Sequence, residues 1–382
     1  MPDAVRAELG KPEPLIERLR CWRDELLASP GFQQWASGFP LTRWVARRQA
    51  AKLFDLCAGF VYSRVLKVCV ELRLLENLRE SPRSMATLES MTGLQTEPLR
   101  TLLDAAQALE LIERRKGGMY GLAPLGASLV GNLGILTMIA HHDLFYDDLQ
   151  DPIGLLKGTR QNTALKAYWA YARSESPAGL PSSAVGEYSR LMAESQPMIA
   201  GEVLRAYDFS RHKLLLDVGG GEGAFAAAVA RANPKLRCVV FDLPGVAERA
   251  SLRCAETGLA ARVTALGGDF FRDELPWGAD IVSLVRVLHD HDDQEVCTLL
   301  RNIRRQLQPG TTLLIAEPMS GAGAAGRLSD AYLSFYLLAM GQGRARTRDH
   351  LIELLSESGF GRARTPAVGI PMLTSVILAD AE

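Results

Sequence analysis

At 382 residues the chain is long enough for two ordinary domains with a sizeable buried core. Apolar residues at 47% and charged residues at 23% are the mix of a globular protein, and a formal charge of −1 argues against a general nucleic-acid coat. Six scattered cysteines (Cys21, Cys57, Cys69, Cys238, Cys254, Cys297) form no CxxC pair, so they read as reduced thiols of a cytoplasmic protein, mostly packed, rather than a disulfide framework or a zinc site.

Residues 1–50 are polar and helix-prone, a helical arm with Asp3 and Glu8 near its start and no apolar signal segment. From Leu53 the pattern becomes a run of short amphipathic helices, with apolar residues three and four apart in FVYSRVLKVCVELRLLENL. Asp55, Arg64 and Lys67 interrupt Leu53–Val70 and rule it out as a membrane span. Ser84–Leu88 opens one helix, Thr92-Gly93-Leu94 turns, and Thr96-Glu97-Pro98-Leu99 starts the next. Lys116-Gly117-Gly118 then makes a hairpin turn before the short strand Tyr120–Leu122. This is the pattern of a winged helix over residues 51–180. Its second helix carries Arg100 against Glu97, Asp104, Glu110 and Glu113, and phosphates would repel it. Packing or dimerisation, with no nucleic-acid partner, is the expected use.

A linker-like stretch, SESPAGLPSSA, fills 174–184, and residues 181–382 then change character. From Leu214 apolar, β-branched strands alternate with helices: LLLDV, RCVVFDL, ARVTAL, ADIVSLVRVL and TTLLIAEP, with two further strands near the end. The expected fold is α/β, a doubly wound sheet buried on both faces.

The first of these strands runs into Asp217-Val218-Gly219-Gly220-Gly221-Glu222-Gly223, a turn that lets a ligand approach the backbone beside a helix N-terminus. The spacing Gly219-x-Gly221-x-x-Ala224 fits a dinucleotide as well as S-adenosylmethionine. Three details favour the latter. Asp217 can face a cationic amino group, where a pyrophosphate would want an apolar neighbour. Asp242 ends the next strand and can hold both ribose hydroxyls. Asp269 and Phe270, after the third strand, can accept the adenine amino group and stack on its ring, although Asp269 also suits a plain turn.

His289 lies in Leu288-His289-Asp290-His291-Asp292-Asp293 at the end of the fourth strand, where ligands of open α/β sheets bind. The His/Asp cluster suggests metal, but Asp292 and Asp293 are natural caps for the next helix, and no metal is expected. Glu317 ends the fifth strand and can orient His289 through its second ring nitrogen.

DVGGGEGAF, VVFDLP, GDFF, VLHDHDD and IAEP, in this order after a winged helix, resemble the small-molecule O-methyltransferase family of plant caffeate, acetylserotonin and polyketide enzymes. The resemblance covers roughly residues 50–380 and implies a Rossmann-like catalytic domain and a homodimer formed through the N-terminal domain. It implies cofactor contacts at Gly219, Gly221, Asp242, Leu243, Asp269 and Phe270, and matches Tyr188–Met192 to a helix whose Met192 flanks the reactive methyl. It further makes His289 the base, Asp290 its neighbour in the site and Glu317 the His-orienting acid. Two positions depart from the pattern: Ala345 stands where plant relatives carry a second orienting Glu, and Val285 stands at a basic cofactor position, with Arg286 one residue later. Within the family, Phe54–Ser63 and its flanks look most like bacterial carotenoid methyltransferases, which act on a tertiary hydroxyl of an acyclic carotenoid. A cousin methylates a carbon of a bacteriochlorophyll precursor, and phenols or polyketides are the further alternative.

An apolar acceptor calls for an apolar cleft. Phe145, Tyr146, Trp169, Met198, Tyr332, Phe335, Tyr336 and Met340 are its candidate lining, although a Met or aromatic stripe is also what a plain helix core looks like. His141-His142-Asp143 adds polar groups nearby. Residues 31–52 hold Arg43, Arg47, Arg48 and Lys52 with no acid, among Phe32, Trp35, Phe39 and Trp44. That composition suits peripheral contact with the inner membrane as well as a solvated arm or a dimer contact.

Overall fold

The computed structural model describes residues 15–168, 182–321 and 323–382. Helices α1 (Leu15–Ala28) and α2 (Pro30–Gly38) lead into α3 (Arg43–Glu71), a single helix of 29 residues. The arm boundary expected at residue 50 falls inside it. Composition changes there, but no Gly or Pro lies between Arg43 and Ala58 to stop the backbone. The chain turns only at Arg73, which is left-handed at φ 52°.

Next come α4 (Leu74–Asn77), α5 (Met85–Thr92) and α6 (Thr96–Ala108). Ser84 caps α5 by accepting the Thr87 N–H, and Gly93 ends it at φ 73°. Leu99, Leu102, Leu103 and Ala106 turn one face of α6 into a core with Leu74, Leu88, Ile112 and Tyr120. Strands β1 (Ile112–Arg114) and β2 (Tyr120–Leu122) pair antiparallel across the Lys116–Gly118 turn, and Arg83 bridges to Tyr120 as a third rung. Helices α7 (Pro124–Val130), α8 (Leu133–Asp148), α9 (Pro152–Leu156) and α10 (Ala164–Tyr168) follow. The expected linker at 174–184 lies outside the described residues up to 181. From Ser182 the chain is already helical, in α11 (Ser182–Ala206), which packs against α8 on one side and the C-terminal half on the other.

The C-terminal half runs β3 (Leu214–Val218), α12 (Ala224–Ala232), β4 (Arg237–Asp242), α13 (Pro244–Glu256), β5 (Val263–Gly267), β6 (Ile281–Val285), α14 (Asp293–Gln306), β7 (Thr312–Glu317), α15 (Gly323–Met340), α16 (Arg348–Glu357), β8 (Phe360–Arg364) and β9 (Ser375–Ala381). The seven-stranded sheet has the order β5-β4-β3-β6-β7-β9-β8. Its first five strands are parallel, and the two final strands add antiparallel. Leu215, Val240, Ile281 and Leu314 face one buried layer, while Leu216, Val282, Leu313 and Ile377 face the other, as expected of a sheet covered on both sides. Strand β6 is shorter than the sequence suggests. It stops at Val285 because Arg286 takes φ 60°, and the chain then tightens into a 3-10 turn over Leu288–Asp290. Strand order reverses between β3 and β6, so their carboxyl ends open a crevice at the switch point. Among the described residues no single helix is long and apolar enough to cross a membrane.

Candidate active site

The turn after β3 is built by three left-handed glycines, Gly219 (φ 67°), Gly221 (φ 58°) and Gly223 (φ 72°). A side chain at Gly219 would put Cβ 2.7 Å from Val287 Cγ2. Together with β4, β6 and α11, this turn bounds a cleft. Met192, Asp217, Gly219, Gly221, Asp242, Leu243, Asp269, Phe270, Arg286 and Asp290 all line it. Ten positions proposed from sequence thus converge on one space.

Two acids dominate its electrostatics. Asp217 is fully buried; its Oδ1 accepts the Ser283 hydroxyl at 2.6 Å, and among the described residues its Oδ2 has no hydrogen-bond partner. Burial, opposed by the Ser283 bond, pushes its pKa up to about 7. Asp242 accepts the Gly221 N–H at 2.8 Å and the Leu243 N–H at 2.7 Å, yet burial still raises it to about 6. Neither carboxylate forms an ion pair among the described residues. Such a cradle fits a cationic ligand and repels a pyrophosphate. The orphaned Oδ2 of Asp217 is suited to an ammonium donor, so the residues present fit S-adenosylmethionine.

One end of the cleft is aromatic. Phe270 and Phe271 meet at 4.8 Å, and His291 stands edge-on to both at 5.8 Å and 5.0 Å. Asp269 lines the cleft while its Oδ1 accepts the Phe271 N–H at 2.9 Å. At the other end Arg286 reaches α11, donating to Ser195 Oγ at 2.7 Å and to Met192 Sδ at 3.0 Å. The unusual backbone at Arg286 thus aims a cation along the cleft wall and holds Met192 in place.

His289 stands just behind this wall. Glu317 Oε1 accepts the Val287 and Leu288 N–H groups at 2.8 and 2.7 Å, and its Oε2 lies 2.6 Å from His289 Nδ1. The other ring nitrogen lies 3.2 Å from Asp290 Oδ1. Burial disfavours charge on the imidazole, but Asp290 and Glu317 prevail and hold its pKa above the ordinary value. Burial raises Asp290 against the pull of His289 and His291. Asp292 caps α14 in a capping box with Glu295, while Asp293 takes Arg346 and His350 instead of capping.

The expected acceptor lining does not reach this cleft. Met340 is fully buried against Leu337, and Phe145 packs with Leu155 and Leu165, because both lie on the inward faces of their helices. Met198 Sδ accepts from Asn132, the cap of α8. Trp169 lies outside the described residues. Tyr146 and Tyr336 belong to a polar-aromatic belt between α3, α8 and α15. In it His141 Nε2 lies 3.2 Å from the Tyr336 hydroxyl, His142 Nε2 lies 3.0 Å from the Tyr332 hydroxyl, and Arg64 covers the Tyr146 ring. Burial, then His142, pushes His141 down to about 4, so it is uncharged near neutrality.

Sequence reasoning missed Gln196, Phe271, His291 and Ser283. Gln196 follows Met192 by one helical turn, and Phe271 and His291 adjoin chosen residues. Ser283 was legible as the one polar residue of the wholly buried IVSLV strand.

A mostly parallel sheet with a glycine turn, two buried acids and an aromatic cluster at its crevice defines a Rossmann-like methyltransferase. Residues 166–361 match the O-methyltransferase domain, and residues 54–132 match the O-methyltransferase dimerisation domain. The chain belongs to the S-adenosylmethionine-dependent O-methyltransferase family. It is 42% identical to demethylspheroidene O-methyltransferase of Cereibacter sphaeroides, over 93% of each chain. It is 38% identical to the enzyme of that name from Rhodobacter capsulatus, over 89% of this chain and 84% of the relative. The crystal structure of human N-acetylserotonin methyltransferase in complex with S-adenosylmethionine superposes with a TM-score of 0.72 at 27% identity, covering 87% of this chain and 98% of that one.

Proposed function

We propose that this O-methyltransferase methylates the tertiary hydroxyl of an acyclic carotenoid of the spheroidene type. The observation that carries the chemistry is the Glu317–His289–Asp290 array, set directly behind a cleft whose two acids call for a cation. The relatives named for demethylspheroidene support the acceptor class.

S-adenosylmethionine supplies, when bound, an electrophilic methyl with a neutral thioether as leaving group. The chain does the rest. Asp217 answers the amino group, Asp242 the ribose, Asp269 and Phe270 the adenine, and Met192 with Arg286 bounds the sulfur end. Alignment of acceptor oxygen and methyl supplies most of the acceleration, up to about 7–11 kcal/mol. His289 accepts the hydroxyl proton, worth roughly 10²–10⁴-fold. Glu317 orients the ring through Nδ1 and steadies the imidazolium. A tertiary alcohol is far weaker an acid than imidazolium, so the proton leaves during attack rather than before it. His289 must be neutral to act, and turnover therefore rises with pH through a value above the ordinary imidazole range.

The enzyme works as a homodimer through its dimerisation domain, peripheral to the inner membrane in which so apolar an acceptor resides. Tyr146, Tyr332 and Tyr336, with the neutral His141, give the acceptor side an aromatic wall, with Arg64 over the Tyr146 ring. The test is mass spectrometry after incubation with methyl-labelled donor and separate acceptors: demethylspheroidene, a catechol and a chlorophyllide. One label on the carotenoid, lost in His289→Ala, is expected. Label on the catechol or chlorophyllide alone would remove the acceptor assignment, and full turnover by His289→Ala would remove the base.

A further inference from the structure

The loop between α15 and α16 closes over the back of the reactive turn. Its Arg344 N–H donates to the His289 carbonyl at 2.9 Å. Gly343 (φ 83°) lies so close that a Cβ there would collide with that carbonyl and with the Asp290 backbone. Arg346 is the loop's buried anchor, with 4% of its surface exposed. Its Nη1 donates to the Leu288 carbonyl, its Nη2 to the His291 carbonyl and its Nε to Asp293, each at 2.6 Å. Asp293 is itself held by Arg344 at 2.9 Å and His350 at 3.1 Å. The two carbonyls bracket His289 and Asp290, so the planar guanidinium spans the residues that carry the chemistry. Position 345 is alanine, so the loop sends no acidic side chain to the imidazole.

We propose that Arg346 is a positioning residue for methyl transfer. Clamped between the Leu288 and His291 carbonyls and Asp293, it fixes the turn that aims His289 and Asp290. The inference rests on His289 as the base. Burying a guanidinium is costly unless its donors are satisfied, and here Nε, Nη1 and Nη2 all reach the reactive turn or the first residue of α14. Tethering both ends of a three-residue turn limits the ring to the small displacements that in-line transfer tolerates.

The test is a double-mutant cycle in the full-length enzyme, with S-adenosylmethionine and demethylspheroidene as substrates. Arg346→Ala is expected to lower kcat by about 10²-fold, the cost of a misplacement near 1 Å. S-adenosylhomocysteine affinity should fall far less than kcat, because Asp217, Asp242, Asp269 and Phe270 lie outside the clamped turn, which gives the cleft only Asp290 and His291 at its edge. In a His289→Ala background the same substitution should cost almost nothing more, since there is no base left to misalign. Guanidinium ion in the buffer should restore part of the Arg346→Ala rate and none of the double variant's. An equal loss in both backgrounds, or no loss in either, would overturn the positioning role. If Arg346→Ala fails to fold, Arg346→Lys carries the same cycle, since a lysine cannot span both carbonyls. Wild-type turnover by His289→Ala is a separate result that removes the base assignment itself.

Discussion

Asp217 is an acid that the fold tolerates at a cost. Its folded-state pKa of about 7 stands well above that of an exposed carboxylate. Folding therefore disfavours its ionised form; the penalty is complete above that pH, shrinks as pH falls, and is gone only below the ordinary carboxylate pKa of about 4. At about 1.4 kcal/mol per unit, the penalty at pH 8 is on the order of a few kcal/mol. A bound cation repays it, which couples stability to occupancy. Asp217→Asn should melt several degrees above the wild type at pH 8, with the gain shrinking toward pH 5. It should also bind S-adenosylhomocysteine at least about tenfold more weakly. Wild-type affinity should fall as pH drops through 7 and then 6, where Asp217 and Asp242 take up protons. Calorimetry and thermal melts across pH read both effects. An Asn variant that is neither more stable nor weaker in binding would show that this carboxylate is not the ligand's counter-ion.

At the scale of the element, the β3 turn was the most legible part of the chain and the belt around α8 the least. Gly219 must be glycine for two reasons that sequence encodes directly, a left-handed φ of 67° and a neighbour 2.7 Å from any Cβ. Gly219→Ala should cost roughly 1–3 kcal/mol and lower the melting point by several degrees. Cofactor affinity should drop with it, because Val287 and the turn must part. A stable variant with unchanged affinity would contradict that packing. The acids at strand ends were equally readable, since parallel sheets deliver ligands there. Helix-borne residues were not. Met198, Phe145 and Met340 share the apolar spacing of any inward helix face, and spacing cannot tell a cleft wall from a core. Arg286 was readable as a base but not as a bent one, because positive φ in a non-glycine residue follows from tertiary contacts. Arg346 was invisible for the same reason, its partners being carbonyls 55 and 58 residues away in sequence.

The whole molecule leaves a long helical arm uncovered. Trp22, Trp35 and Trp44 on α1–α3 are exposed, as are Leu56 and Phe60, at 76% and 73%. A single chain does not keep so large an apolar surface in water without a partner. Two surfaces are available to cover it, and they divide along the chain. Leu56 and Phe60 fall within residues 54–132, the match to the dimerisation domain, and are expected to lie against a second copy. Residues 31–52 precede it, with Arg43, Arg47, Arg48 and Lys52 exposed, no acid, and the exposed Trp35 and Trp44 in the same stretch. Those features suit an anionic bilayer, where each cation contributes about 1 kcal/mol and indoles seat at the interface. The two roles separate by mutation. Leu56→Glu with Phe60→Glu should yield monomers in sedimentation at micromolar concentration. Arg47→Glu with Arg48→Glu should leave the dimer intact and cut binding to phosphatidylglycerol vesicles at least about tenfold, at roughly 1 kcal/mol for each charge lost. Turnover on vesicle-borne carotenoid should fall with that binding, while turnover on detergent-dispersed carotenoid should not. Equal vesicle binding by the charge-reversed pair and the wild type would assign the basic stretch to the dimer instead.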